Sequence, residues 1–180
     1  MQKNKRILIY LLILLAGAGW IGISADRSGG TASGNMTAPQ AGFAAPDFTL
    51  QTPAGISYTL SESRGQPMLV NLWATWCPPC RAEMPAIERM YREYGERGLV
   101  ILALNMTYQD DPLEVAPFIE KYDLTFPVLL ETTGDVAAAY QLRSLPTSFF
   151  IDRQGVITRV IVGGPMSEAL LRTYIGEILK

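Results

Sequence analysis

The sequence predicts an α/β fold in three layers, with a mixed central sheet flanked by helices. Two observations carry this. Between residues 68 and 142, near-continuous apolar runs alternate with helical patterns, the order that builds parallel strands joined by crossover helices. On either side of that block the pattern changes. Residues 47–60 and 148–162 each hold two short apolar-rich runs around a turn, which read as antiparallel hairpins.

The elements follow in order. Asp47-Phe48-Thr49-Leu50 and Ile56-Ser57-Tyr58-Thr59-Leu60 alternate polar and apolar residues around a turn marked by Pro53 and Gly55. Ser61 to Pro67 is a loop. Met68 to Ala74 is apolar nearly throughout, the signature of a strand buried on both faces. A helix is expected from Pro78 to about Glu96. Cys80, Met84, Ile87, Tyr91 and Tyr94 repeat at three and four and form its inner face, while Arg81, Glu88 and Arg92 fall outside, with Glu88 and Arg92 paired at i,i+4. Pro85 is expected to kink this helix, and Gly98 to stop it. Leu99–Asn105 and Phe126–Glu131 are further strands; Pro112–Tyr122 and Gly134–Leu142 are helices. Ser148–Asp152 and Val156–Val162 flank the turn Arg153-Gln154-Gly155, and Ser167 caps a last helix through Leu179.

The first 45 residues read differently. Lys3, Lys5 and Arg6 precede an uncharged run from Ile7 to Ala25, long enough as a helix to span roughly 28 Å, close to a bilayer core. Basic residues before it and Asp26 after it orient the rest of the chain outward. The length favours an uncleaved anchor over 1–25 against a cleaved signal peptide, for which Ile23-Ser24-Ala25 is a poor cleavage site. Residues 26–45, rich in Gly, Ser and Ala, read as a flexible tether of roughly 25 Å reach. The folded domain is expected over 46–180. The implied location is the cell membrane, single-pass, with the domain on the extracytoplasmic side.

Composition excludes several functions. Beyond Ala25 the chain holds 12 basic against 17 acidic residues, so no electrostatic case for nucleic-acid binding exists. The absence of histidine removes Cys-His and Ser-His catalysis and histidine-ligated metals. Gly163-Gly164 is not a dinucleotide-binding fingerprint, so no flavin or nicotinamide cofactor is expected, and no metal. The expected redox group is the disulfide of the protein itself.

The chemistry concentrates in Cys77-Pro78-Pro79-Cys80, which holds both cysteines of the chain. A strand feeding directly into a helix leaves Cys77 near the N-cap, where the helix dipole and free N–H groups favour a thiolate. Cys80 lies one turn further in, shielded and placed to attack a mixed disulfide on Cys77. Pro78 and Pro79 suit a first helical turn, but Pro79 removes one N–H donor and leaves that of Cys80. The thiolate is then only moderately stabilised, which suits a reductant better than a strong oxidant. A zinc knuckle lacks its other ligands, and a four-residue disulfide ring constrains little of the unfolded chain.

The run Val70-Asn71-Leu72-Trp73-Ala74-Thr75-Trp76-Cys77-Pro78-Pro79-Cys80 resembles the active-site segment of thioredoxin-fold proteins. With Ala45-Pro46-Asp47-Phe48-Thr49-Leu50, Cys80-Arg81-Ala82-Glu83-Met84-Pro85 and Leu145-Pro146-Thr147-Ser148-Phe149-Phe150-Ile151-Asp152, the chain from Ala45 onward is similar to the membrane-tethered TlpA/ResA group of extracytoplasmic thiol-disulfide oxidoreductases. The resemblance implies a thioredoxin-like fold with a helix-and-strand insertion over about 106–133. It implies a cis peptide at Leu145–Pro146 opposite the dithiol, with the Leu145 backbone open to an extended substrate. From the residues alone, Leu-Pro is a turn, and cis the minority isomer. Thioredoxins usually carry a buried Asp where this chain has Asn71. Attention therefore moves to Glu83, one helical turn after Cys80. On spacing alone Glu83 is a solvated helix glutamate; the resemblance links a Glu here to thiol chemistry. Trp73 reads as core and Trp76 as a substrate-docking rim. Arg81 points outward and receives no role. Asp110-Asp111 reads as turn and helix-start chemistry.

The expected activity is therefore reduction of disulfides in exported proteins, with apocytochrome c as the substrate class the resemblance suggests and a membrane dithiol carrier as electron donor. Two rivals remain open: a thiol peroxidase, whose branch shares the Pro46-Asp47-Phe48 opening, and a non-catalytic metal chaperone.

Overall fold

The computed structural model describes residues 37–180. The expected anchor, and the tether up to residue 36, lie outside the described residues. Among the latter, seven strands and four α-helices follow one another: β1 (Thr49–Gln51), β2 (Ser57–Thr59), β3 (Met68–Trp73), α1 (Pro78–Tyr94), β4 (Val100–Asn105), α2 (Pro112–Tyr122), β5 (Val128–Leu130), α3 (Asp135–Ala139), β6 (Thr147–Ile151), β7 (Ile157–Val162) and α4 (Glu168–Ile178). The strands form one sheet in the order β2-β1-β5-β4-β3-β6-β7. β3, β4 and β5 run parallel; the two hairpins join them antiparallel, β1 to β5 through the single pair Gln51↔Leu130.

β3 lies between β4 and β6, and all six of its residues are buried. Its side chains alternate between two cores. Leu69 and Trp73 join Met84, Ile87, Phe118 and Leu171 from α1, α2 and α4 on one face. Met68, Val70 and Leu72 join Phe48, Val136, Tyr140 and Phe149 on the other, with α3. The period of two that sends Leu69 and Trp73 toward α1 sends Asn71 there as well. One polar side chain thus enters the apolar layer beneath the helix that carries the cysteines.

Two expectations need correction. Residues 37–45 are not a free tether: the Gly42 and Ala45 N–H groups donate to Ile157 and Gly155, and the Ile157 N–H donates to Phe43. This segment lies along the start of the edge strand β7 and satisfies backbone groups there, so the ordered chain begins before residue 46. Glu88 does pair with Arg92 at 2.6 Å, but it is buried and also accepts from the Thr125 N–H and hydroxyl, tying the loop before β5 to α1. Pro85 lies inside α1, which is continuous from Pro78 to Tyr94.

Candidate active site

The site is built where β3 turns into α1. Cys77 is the N-cap of α1, and its Sγ accepts from the Cys80 N–H at 3.3 Å. Pro78 and Pro79 fill the first two helical positions, so the first N–H of the helix is that of Cys80, as the sequence implied. The two cysteines are joined by a disulfide with an S–S distance of 2.05 Å. Cys80 is fully buried. Cys77, expected to be the accessible partner, is only 2% exposed in this disulfide form, because it belongs to the same apolar cluster as Trp73, Cys80 and Met84.

Beneath the dithiol lies a buried polar group. Glu83, one turn after Cys80, is fully buried rather than solvated. Its Oε1 accepts from Asn71 Nδ2 at 2.9 Å and its Oε2 from the Met166 N–H at 3.1 Å. Asn71 Nδ2 also donates to Ser148 Oγ at 2.9 Å, while Asn71 Oδ1 is buried without a hydrogen-bond partner. Burial pushes the Glu83 carboxyl above the ordinary carboxylate range; the Met166 N–H and the Asn71 amide oppose this only in part. The result is a buried carboxyl whose pKa burial raises, one helical turn from Cys80.

The Leu145–Pro146 peptide is cis. Pro146 is buried and Leu145 half-buried. A second cis peptide, Gly164–Pro165, was not anticipated. It belongs to a loop that closes over the same corner. The Gly163 N–H donates to the Pro146 carbonyl at 2.8 Å. A Cβ on Gly164 would lie 2.7 Å from Pro146 Cγ and 2.8 Å from Glu83 Oε2, so only glycine fits between them. The run Gly163-Gly164-Pro165 was a visible breaker signal, but no local pattern says what it approaches.

Asp110 is the other residue the sequence undervalued. Asp111 does cap α2, accepting from the Leu113 N–H. Asp110 instead reaches back to the loop before Cys77, accepting from the Thr75 N–H at 2.6 Å, the Thr75 hydroxyl at 2.5 Å and Asn105 Nδ2 at 2.8 Å. Beside it Trp76 Nε1 donates to the Gln109 carbonyl at 3.1 Å. The insertion is thereby fastened to the active-site loop, and Trp76 is held at the rim with 54% of its surface exposed.

A family model described as the AhpC/TSA family matches residues 41–160. The chain belongs to this family. Within it the protein is a thiol-disulfide oxidoreductase of the ResA kind. It is 36% identical over 172 residues to the thiol-disulfide oxidoreductase ResA of Geobacillus kaustophilus, covering 96% of each chain. It is 42% identical over 125 residues to the thioredoxin-like protein YneN of Bacillus subtilis, covering 69% of this chain and 72% of that one. Among solved structures it is similar to a putative thiol:disulfide interchange protein DsbE from Chlorobium tepidum, with TM-score 0.72 and 30% identity, covering 78% of this chain and 99% of that one. The fold of this AhpC/TSA member is thioredoxin-like, with the dithiol at the start of α1.

Proposed function

We propose that this protein reduces disulfides in exported proteins while tethered to the outer face of the membrane through residues 1–25. The observation that carries the reading is the Cys77–Cys80 pair, capped by a single N–H and set above a buried carboxyl. In the reduced protein the Cys77 thiolate attacks a substrate disulfide. A bond forms between Cys77 Sγ and one substrate sulfur, and the other leaves as a thiolate and takes up a proton. Cys80 then attacks Cys77 Sγ, the Cys77–Cys80 disulfide closes, and the second substrate thiol departs. Two electrons have passed to the substrate; of the two protons it takes up, one is that of the Cys80 thiol and the other comes from solvent, because Cys77 entered as the thiolate. Glu83 serves as the proton acceptor for Cys80 as its thiol becomes the attacking thiolate. A protein dithiol, supplied at the membrane, returns the two electrons.

Three features support reduction over oxidation and a peptide substrate. Cys77 Sγ receives one N–H because Pro79 removes another, whereas a strong oxidant needs its thiolate heavily stabilised. Among the described residues, the Leu145 N–H donates to none and its carbonyl accepts from none, which leaves that backbone open to an extended segment. Trp76 offers an exposed apolar face beside the dithiol. Apocytochrome c, with paired cysteines, is the substrate class that fits. No helix of the described residues is long and apolar enough to cross a membrane; the proposed anchor rests on the sequence of residues 1–25.

The test is a Cys80→Ala variant expressed in cells with its mixed disulfides trapped and identified. Exported proteins with paired cysteines, apocytochrome c among them, are the expected partners. Capture of none, or consumption of peroxide by the purified protein faster than protein disulfides, overturns the reading.

A further inference from the structure

A groove of about 360 Å³ runs between the start of α1 and the side of α2. Phe118 and Tyr122 line it, their rings stacked with centroids 4.4 Å apart, and Phe118 rests on buried Trp73 at 4.5 Å. Trp76 and Pro117 also line it, and two exposed cations, Arg81 and Lys121, complete it. Arg81 Nε donates to Tyr122 Oη at 3.5 Å, and Lys121 Nζ lies 5.8 Å from the centre of the Tyr122 ring. Both cations thus converge on one aromatic side chain. Among the described residues, neither forms a salt bridge. Glu114 is the one carboxylate lining the groove, so positive charge prevails there.

Two residues that line the groove flank the dithiol in the chain: Trp76 precedes Cys77 and Arg81 follows Cys80. A substrate held on Cys77 by a disulfide advances about 3.3 Å per extended residue, so two or three residues span about 7–10 Å, against a rise of about 6 Å along the helix from Cys77 to Arg81. An aromatic floor with cations at its edge fits a side chain that has an apolar stem and a negative end. A lysine would meet two like charges. Resting on the reductase reading above, we propose that this groove is a specificity subsite for a glutamate two or three residues from the reactive cysteine of the substrate, its methylenes on Tyr122 and its carboxylate between Arg81 and Lys121. The insertion that carries α2 would then select substrates as well as brace the active-site loop.

The experiment uses the reduced protein and a series of peptide disulfides identical except for Glu, Gln or Lys placed two or three residues from the reactive cysteine. Each rate is divided by that for neutral 2-hydroxyethyl disulfide with the same protein. The Glu peptide is expected to react about tenfold faster than the Lys peptide at low ionic strength, with the ratio falling as salt is added. Lys121→Glu is expected to reverse the order. Arg97→Glu makes the same charge change beyond the far end of α1, roughly 25 Å or more of helix away, and is expected to keep it. Equal relative rates for the three peptides, or the same loss of preference in Arg97→Glu as in Lys121→Glu, overturn the subsite. Failure to reduce even the neutral disulfide overturns the reductase reading, and the subsite with it.

Discussion

Glu83 and Glu131 are both fully buried glutamates, and neither forms a salt bridge among the described residues. Their surroundings are opposite. Glu131, just after β5, accepts from the Thr133 N–H, the Thr133 hydroxyl and the Gly134 N–H, the last shared by both oxygens. These donors come from the turn that leads into α3 and are local in sequence. Glu83 has one side-chain amide and one backbone N–H, both brought from distant segments, and a neighbouring amide oxygen left without a donor. One carboxylate holds a turn together. The other is kept short of donors, which is how a buried acid retains its proton above the ordinary range. Burial alone therefore does not tell the two apart; the number and origin of their donors do.

The largest effect is expected on the structural side of this pair. Glu131→Ala strips the acceptor from the Thr133 and Gly134 N–H groups, while the Thr133 hydroxyl keeps Asp135 as its partner. The donors sit in a turn that is partly exposed, so their lost bonds cost about 1 kcal/mol in all; with the void left by a fully buried side chain, a loss of about 3 kcal/mol is expected. That lowers Tm by roughly 6–12 °C for a domain of this size, readable by calorimetry. Activity per folded molecule stays at the wild-type level. A variant with unchanged Tm but slowed disulfide reduction would invert the two roles.

Next comes the corner that Glu83 shares with Pro146. Gly164→Ala places a methyl where Pro146 Cγ and Glu83 Oε2 already stand, and overpacking of this kind costs about 1–3 kcal/mol. The methyl pushes on the carboxylate and on the proline beside the substrate path, so disulfide reduction slows more than stability falls. Equal activity per folded molecule in steady-state assays would mean that this corner tolerates displacement and that Glu83 is less tightly positioned than its two hydrogen bonds imply.

The asymmetry also explains what the sequence revealed. The elements of the sheet and α1 were legible because apolar period and breaker residues are local signals: Pro112–Tyr122 was read to the residue, and Ser167 was placed as a cap. The dithiol was legible because its two cysteines are neighbours. Glu83 was singled out through the family resemblance, its position alone reading as a solvated glutamate; its burial was not legible, since it depends on Asn71 in β3 and Met166 before α4, which only the fold brings together. Asp110 and Gly164 were missed for the same reason. Asp110 acts on Thr75 and Gly164 on Glu83, across 35 and 81 residues of chain, and a turn-forming residue looks the same whether or not it also reaches the active site.

The smallest effect on stability, and the most discriminating, belongs to Glu83→Gln. Glutamine keeps the shape and one acceptor, so at neutral pH the variant is expected within about 1 kcal/mol of wild type. The difference lies in its pH dependence. Glu83 has a raised folded-state pKa, so between the ordinary value of 4.5 and that raised value the folded protein binds more protons than the unfolded chain. The stability this contributes is fully present below about 4.5 and is lost as pH rises through the folded value. Wild type should therefore lose stability relative to Glu83→Gln across that window in urea titrations run at a series of pH values. In the same window the alkylation rate of the reduced thiols is expected to follow a different pH profile in the two proteins, as the proposed transfer of the Cys80 proton to Glu83 requires. A constant stability difference with superimposable thiol profiles would make Glu83 a second Glu131, a buried carboxylate held for structure. The proton handling at Cys80 would then pass to solvent.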